Sequence, residues 1–401
     1  GRMLKQPDIM IEISNYIDED SIVGRIIRIS FTFFIKLIRK MMVSSRDENS
    51  KVIIISLNKL GDTVFTIPAI RSIKNKFNDS LSIVCYEESK LIYQLVFEDL
   101  QFVTLGKDDF YFGGRIANSR IRKRITDLQA GIIIDMTGSV KSASLILNCR
   151  TKEIIGSNDK YFSAVYTEFI TKRKQPHLVD KYLDVSNKIS GIQDVIELKE
   201  YKATLNKDGY ILIHPFAGWK AKEWNRNKYL ELALSIGKRR DCKIIIPKEF
   251  AEEGTLATIK SLNISYIISN ELKDLIEGIK NCSAIIGNDS GAIYIANILG
   301  KPTFTIYGPT NPSYSLPFGD MHDFIRKDIK CSPGINDQYC FKDAGRKCNS
   351  FECMNMLTFE EVSQKINLFL EKTGLSTDGP IRQVECKTSE VYYYSIAIYP
   401  P

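Results

Sequence analysis

The stretch Ala284 to Pro312, AIIGNDSGAIYIANILGKPTFTIYGPTNP, decides the fold class. It reads as strand, turn, helix, strand. Ala284 to Ile286 is a short apolar run that ends at Gly287. Asn288, Asp289, Ser290 and Gly291 make a polar turn. Ile293, Ala296 and Leu299 then recur at helical spacing, and Gly300 stands where a helix stops. Thr303 to Tyr307 is a second apolar run. A polar turn at the carboxyl end of a strand, feeding a helix N-terminus, is the ligand corner of a βαβ unit. The free N–H groups of the first helical turn point out of it, and the helix dipole adds about half a positive charge. Gly291 lets a phosphate reach the backbone. Asp289 and Ser290 serve either as a helix cap or as ligand contacts.

A second turn of this kind lies in Lys51 to Phe77, KVIIISLNKLGDTVFTIPAIRSIKNKF. Val52 to Ile55 is a continuous apolar run, as in a strand buried on both faces. Ser56 to Asp62 reads as a loop carrying Gly61. Ile67, Ile70, Ile73 and Phe77 mark one face of the following helix, with Pro68 in its first turns. Neither turn is GxGxxG, which argues against a Rossmann oxidoreductase.

SLNKLGDTVFTIPAIRSIK, from Ser56, resembles the N-terminal signature of the lipopolysaccharide heptosyltransferase family, glycosyltransferase family 9. GNDSGAIYIANILGKPTFTIYGPTNP resembles its C-terminal signature. DMTGSVKSA at 135–143 and HPFAGWKAKEWNRNKY at 214–229 stand between them in the family's order. The resemblance covers about Lys51 to Leu370. It implies an α/β chain with two Rossmann-like domains facing a cleft, the GT-B fold. The expected division is an N-terminal extension over 1–50, an acceptor domain over 51–200, a nucleotide-sugar domain over 201–372 and a tail over 373–401.

The resemblance also implies roles. Lys222, just before Glu223-Trp224, would neutralise a donor diphosphate, and Asp289, Ser290, Gly291 and Gly61 would also bind the donor; Lys220 is the alternative if the loop is shifted. Glu252 or Glu253, with Glu253 preferred, would bond the donor ribose. Lys141 would meet an acceptor carboxylate. Two departures stand out. Tyr294 occupies a place where the family commonly has His, and Lys59 a place where it often has a small residue; they are assigned to the donor and acceptor sides respectively. Arg120 belongs to a run from Arg115 to Arg124. Such a run is ordinarily a solvated face, and in this setting is also a candidate acceptor cradle.

The implied chemistry is inverting glycosyl transfer from ADP-heptose to an anionic lipopolysaccharide core acceptor. The helix N-terminus and Lys222 would stabilise the leaving group. Asp62, across the cleft, is the expected general base, the alternative being a cap of its own helix. No Asp-x-Asp stands in a suitable loop, so neither a catalytic metal nor a cofactor is expected. The alternatives are another activated sugar passed to a different glycan or a protein, and a non-catalytic nucleotide-sugar-binding scaffold.

Composition fits this reading. The chain has 401 residues, 44% of them apolar, and a net charge of +7. That supports two full-sized cores and an anionic partner, and it is too weak a charge to indicate nucleic acid. Ser21 to Met42 reads as a basic amphipathic helix. Ile22, Ile26, Ile29, Phe33, Leu37 and Met41 form one side; Arg25, Arg28, Lys36, Arg39 and Lys40 form the other. It is expected to lie on the inner-membrane surface or pack on another copy of the chain, which would make the protein cytoplasmic and peripheral; the alternative is packing on its own domain. The chain has nine cysteines. Cys85, Cys149, Cys242 and Cys282 read as buried thiols. Cys331, Cys340, Cys348 and Cys353 are crowded and lack a CxxC pair; they read as structural thiols or a disulfide, with a metal site as the alternative. Val391 to Tyr399 is Tyr-rich and suits an edge strand or a subunit contact.

Overall fold

The computed structural model describes residues 32–41, 51–77, 80–111, 114–173, 176–190, 207–342 and 345–375. Helix α1 covers 32–41. The first sheet unit then runs β1 (Val52–Ser56), α2 (Leu60–Phe77), β2 (Leu81–Tyr86), α3 (Glu87–Gln94), β3 (Gln101–Leu105), a hairpin of β4 (Phe110–Tyr111) and β5 (Ile116–Ala117), α4 (Ser119–Thr126), β6 (Ile132–Asp135), α5 (Val140–Ile146), β7 (Glu153–Asn158), β8 (Glu168–Thr171) and α6 (Leu178–Ser190). The second runs β9 (Tyr210–His214), α7 (Arg226–Gly237), β10 (Cys242–Pro247), α8 (Glu253–Ser261), β11 (Ser265–Ser269), α9 (Leu272–Lys280), β12 (Cys282–Asn288), α10 (Gly291–Ile298), β13 (Thr303–Tyr307), β14 (His322–Arg326), α11 (Glu352–Asn355) and α12 (Phe359–Lys372).

The two six-stranded sheets have the orders β3-β2-β1-β6-β7-β8 and β11-β10-β9-β12-β13-β14, and their pairings are parallel. Central strands are apolar along their length because helices cover both faces; β1, β9, β12 and β13 are buried throughout. In each sheet the chain starts in the middle, winds to one edge, then returns and winds to the other. The winding reverses between β1 and β6 and again between β9 and β12. Loops leaving those four strands therefore open into crevices, where ligands of such sheets bind.

Helix α2 joins the two units. It packs on α6 and on α10. Val64, Ile67, Ile70 and Ile73 belong to one apolar cluster with Leu212, Ile285 and Ile293 of the second unit. Each fully buried Ile contributes about 1.5–3 kcal/mol relative to exposure. Phe65 stacks edge-on against Tyr294, with centroids 4.8 Å apart, and against His177 at 5.5 Å. His177 Nε2 is 3.1 Å from the Leu316 carbonyl.

The structure departs from the sequence reading in three places. Helix α2 begins at Leu60, so Gly61 and Asp62 lie in its first turn rather than in a loop, and Pro68 lies in its interior. The strands β7, β8, β11 and β14 escaped the reading. The basic stretch 21–42 is described only over 32–41, and there its faces are not those expected. Ile35 is buried in the core beside Ile53 and Ile55. Arg39 is 6% exposed and donates to the carbonyls of Cys149 at 2.7 Å, Thr151 at 3.3 Å and Leu147 at 3.4 Å. Those carbonyls follow the end of α5, where backbone acceptors lack helical donors. Arg39 is thus a docking residue of its own domain, while Phe33, Phe34, Leu37 and Met41 are exposed. The expected tail strand at 391–399, and the boundary between the two units at 191–206, lie outside the described residues.

Candidate active site

A cleft of about 780 Å³ lies between the two units. Its walls come from the loops after β1, β6, β9 and β12. Leu57–Asp62 and Lys141 line it from the first unit. Trp219, Lys222, Asp289–Gly291, Tyr294 and Thr310 line it from the second. Gly61 and Gly291 face each other at the junction, where a Cβ on Gly291 would sit 3.6 Å from the Leu60 Cβ.

Asp289 is 3% exposed and fully partnered. Lys222 Nζ donates to its Oδ2 at 2.5 Å, the Thr310 hydroxyl donates to Oδ2 at 2.7 Å, and the Tyr294 hydroxyl donates to Oδ1 at 2.5 Å. Burial by itself would raise the carboxyl pKa. The Lys222 charge and these three donors outweigh burial and hold it below its usual value. Burial and the Asp289 charge push the Tyr294 hydroxyl far up, so it stays a donor. The next residue back, Asn288, fixes the Lys222 loop. Its Oδ1 accepts from the Trp224 N–H at 3.0 Å and the Tyr229 hydroxyl at 2.9 Å, while its Nδ2 donates to the Pro215 carbonyl at 2.9 Å. Ser290 is the N-cap of α10, yet its side chain makes no capping bond; it lies 3.5 Å from His214 Nδ1. The cap reading of Asp289 and Ser290 therefore fails; the Ile293 N–H bonds the Ser290 carbonyl at 3.2 Å, and the N–H groups of Gly291 and Ala292 at the start of α10 are suited to an anion.

Asp62 faces this arrangement from the other wall. It is half-buried, and among the described residues its carboxylate has no hydrogen bond or ion pair. It lies inside α2, not at the N-cap. Burial raises its pKa, against the pull of Lys181, Lys59 and Lys222. An unpaired carboxylate of raised pKa in a cleft is equipped to take a proton. Lys59 lines the cleft at the same turn. Lys141 lines it too, donating to the Tyr86 hydroxyl at 2.5 Å and lying 5.2 Å from the rings of Tyr86 and Phe110.

Two expected contacts are not brought to the cleft. Arg120 is on the exposed side of α4 and pairs with Asp109 at 3.0 Å, so it belongs to a solvated face. Glu253 opens α8 in solvent and lines neither the cleft nor the neighbouring pocket of about 480 Å³ between Phe216, Arg226 and Ile246. Lys220 lines that neighbouring pocket, and Lys222, not Lys220, reaches Asp289.

Sequence reasoning missed Thr310, Trp219, Tyr339 and Lys181. The Trp219 ring lies 4.5 Å under Lys222 Nζ and meets Tyr339 edge-on, with centroids 6.3 Å apart. No local pattern marks them, because their partners are distant in the chain. Cys331, Cys340, Cys348 and Cys353 are free thiols around one cavity of about 10 Å³. Among the described residues no three His, Cys, Asp or Glu side chains are placed to hold a metal ion.

The profile of Glycosyltransferase family 9 (heptosyltransferase) matches residues 118–344, more than half of the chain. The lipooligosaccharide heptosyltransferase 2 of Campylobacter jejuni is 22% identical over 332 residues, covering 79% of this chain and 97% of its own length. The solved structure of the Escherichia coli ADP-heptose lps heptosyltransferase II superposes with a TM-score of 0.61 at 17% identity, covering 81% of this chain and 99% of the other. Escherichia coli WaaC, solved with ADP-2-deoxy-2-fluoro heptose, superposes with a TM-score of 0.57 at 18% identity, covering 79% and 98%. At these identities the structural likeness concerns the two-domain GT-B fold.

Proposed function

The chain belongs to glycosyltransferase family 9, the heptosyltransferases, and is a glycosyltransferase; from this premise we propose that it moves a heptose from ADP-heptose to a lipopolysaccharide inner-core acceptor, with inversion and without a metal. The observation that carries the reading is Asp62, a carboxylate that has no partner among the described residues and faces the α10 N-terminus across the cleft. The acceptor hydroxyl gives its proton to Asp62 as its oxygen attacks the anomeric carbon. The bond from that carbon to the diphosphate oxygen breaks, and ADP leaves with the electron pair. The N–H groups of Gly291 and Ala292, the α10 dipole and Lys222 stabilise the charge on the departing diphosphate. Lys141 and Lys59 face the acceptor. The neighbouring pocket beside Phe216 and Arg226 is of a size to take the nucleoside.

The exposed apolar side of α1, flanked by exposed Lys36 and Lys40, suits attachment to an anionic lipid surface. Among the described residues no helix is long and apolar enough to cross a membrane.

The test is Asp62→Asn. Turnover should fall by about 10²- to 10⁴-fold, while calorimetry shows ADP-heptose binding retained and preferred over UDP- and GDP-sugars. Product anomeric configuration reports inversion, and turnover in EDTA reports metal use. A folded wild type that binds no nucleotide sugar would sink the transferase reading and favour the scaffold; preference for another nucleotide would redirect the donor.

A further inference from the structure

A second hollow, of about 460 Å³, opens beside the cleft. Leu178, Tyr314, Gln338 and Tyr339 line both spaces, so the two adjoin. The side pocket has three cations on its walls, Lys172, Arg173 and Lys181, against the single carboxylate of Asp337. Burial lowers the pKa of His177, which also lines it and is therefore neutral near pH 7.

Two of the cations are committed. Lys172 Nζ donates to the Gly138 carbonyl at 2.5 Å. Arg173 grips Asp184 through two bonds of 2.6 Å and reaches Asp180 at 3.4 Å. Lys181 is not committed. Among the described residues its ammonium has no hydrogen bond or ion pair, and it lies 5.1 Å from the ring of Tyr182. It is half-buried. Burial and the neighbouring Lys172 pull its pKa down, while Asp62 and Asp135 act the other way. A half-buried ammonium without an acceptor is costly, and in a concave, net-positive hollow it marks an anion site. Its charge is also felt by Asp62, so the hollow lies near the Asp62 wall of the cleft.

We propose that this side pocket holds an anionic substituent of the acceptor, a phosphate or a sugar carboxylate, on the Lys181 ammonium while the acceptor hydroxyl lies against Asp62. The proposal rests on the transferase reading above. It makes Lys181 a residue that selects acceptors by charge.

The variant is Lys181→Met, which keeps the apolar stem and removes the charge. The expected result is a rise of about 10- to 100-fold in acceptor KM, the scale of one hydrogen bond to a charged group. Calorimetric binding of ADP-heptose is unchanged, and the melting temperature is not lowered, because among the described residues the wild-type ammonium makes no hydrogen bond or ion pair. Lys181→Arg restores most of the acceptor affinity. Two modified acceptors identify the anion, one stripped of phosphate and one with its carboxylates reduced. Wild type should lose the same factor on one of them, and Lys181→Met should not distinguish that one from the native acceptor. An unchanged acceptor KM in Lys181→Met overturns the proposal. So does a lowered melting temperature with loss of donor binding, which would make Lys181 structural. Heat protection by inorganic phosphate and by gluconate is read in parallel, since it needs no turnover. Protection of wild type but not of Lys181→Met, without any transfer, would overturn the transferase reading alone; absence of protection in wild type counts against the pocket.

Discussion

Replacing Lys222 with Met tests the electrostatics of the donor turn. In the wild type, Asp289 is 3% exposed and holds three donors, one of them the Lys222 ammonium at 2.5 Å. The variant keeps the Tyr294 and Thr310 hydroxyls and removes the charge. If Asp289 stays ionised, stripping the partner from a buried pair costs about 3–5 kcal/mol. If it takes up a proton instead, the cost at pH 7 is capped by its ordinary pKa of 3.8, at about 1.4 kcal/mol per unit over some three units, or roughly 4 kcal/mol. The two remaining donors still favour the ionised form, so the expected loss is about 2–4 kcal/mol. The pH dependence gives the sharper reading. The wild-type pKa is depressed, so its contribution is present above the ordinary carboxylate pKa and is lost as pH falls through the lower folded value. In Lys222→Met the folded pKa rises above the ordinary value. The sign then reverses, and this group's share of stability grows as pH falls through the new pKa toward the ordinary carboxylate value. Urea unfolding at several pH values, followed by tryptophan fluorescence, is the assay. The chain has two Trp, and both Trp219 and Trp224 flank Lys222. Adding Asp289→Asn to Lys222→Met should recover most of the loss. A loss below about 0.5 kcal/mol at pH 7, or a pH slope equal to that of wild type, would refute the reasoning.

Helix α1 makes two separable predictions. Arg39→Ala should cost about 1–3 kcal/mol by leaving three carbonyls without their donor, seen as a lower urea midpoint. Phe33→Ser with Leu37→Ser should leave that midpoint in place and abolish flotation with vesicles containing phosphatidylglycerol; unchanged flotation would remove α1 from the membrane reading. His214 is buried, and burial lowers its pKa to about 4. It is neutral in the fold, while the unfolded chain takes up a proton below about pH 6.5, so its share of stability falls as pH drops from about 6.5 to 4. The difference between wild type and His214→Gln should change by about 3 kcal/mol across that window, and a flat difference would show that His214 does not carry the effect.

Much of this architecture is legible in the sequence because central parallel strands are buried on both faces. Val52–Ser56 and Thr303–Tyr307 are unbroken apolar or small runs, and such runs find strands without alignment. Edge strands are not so marked. EFIT in β8, SYIIS in β11 and HDFIR in β14 are only partly buried and mix polar with apolar residues. The start of α2 was misplaced because Leu60–Asp62 carries no cap signature and Pro68 suggested a first turn. At the site, the turns at Gly61–Asp62 and Asp289–Gly291 were legible because a polar turn between a strand and a helix is a local pattern. The bonds that complete them are not local. Lys222 and Asp289 are 67 residues apart, and Lys181 reaches the neighbourhood of Asp62 from α6. Arg120 and Glu253 lie on exposed sides of their helices, away from the cleft. A charge near a strand end says nothing of whether the helix that bears it turns toward the crevice or toward solvent.

The departure at Tyr294 has a physical consequence for the donor turn. A carboxylate at the mouth of an anion site repels a diphosphate unless its own charge is neutralised. Here the Lys222 ammonium and two hydroxyls do so, and Asp289 is left with little unbalanced field. A histidine in the place of Tyr294 would add a group that titrates near neutral pH, so its contribution would vary across the working range. The Tyr294 hydroxyl, raised far above its usual pKa, keeps its proton throughout that range and donates to Asp289 regardless of pH. Substituting tyrosine therefore removes one cation from the leaving-group side but fixes the orientation of Asp289, and through it the reach of Lys222. In the proposed mechanism the acid limb of turnover is then left to Asp62, whose pKa burial has raised. The same packing that allows this, Phe65 edge-on against Tyr294, is the contact that ties α2 and its carboxylate to α10 and the donor turn. The residue that departs from the family pattern thus bridges the two walls of the cleft, so exchanging it for His alone would disturb the Phe65 contact as well as the charge.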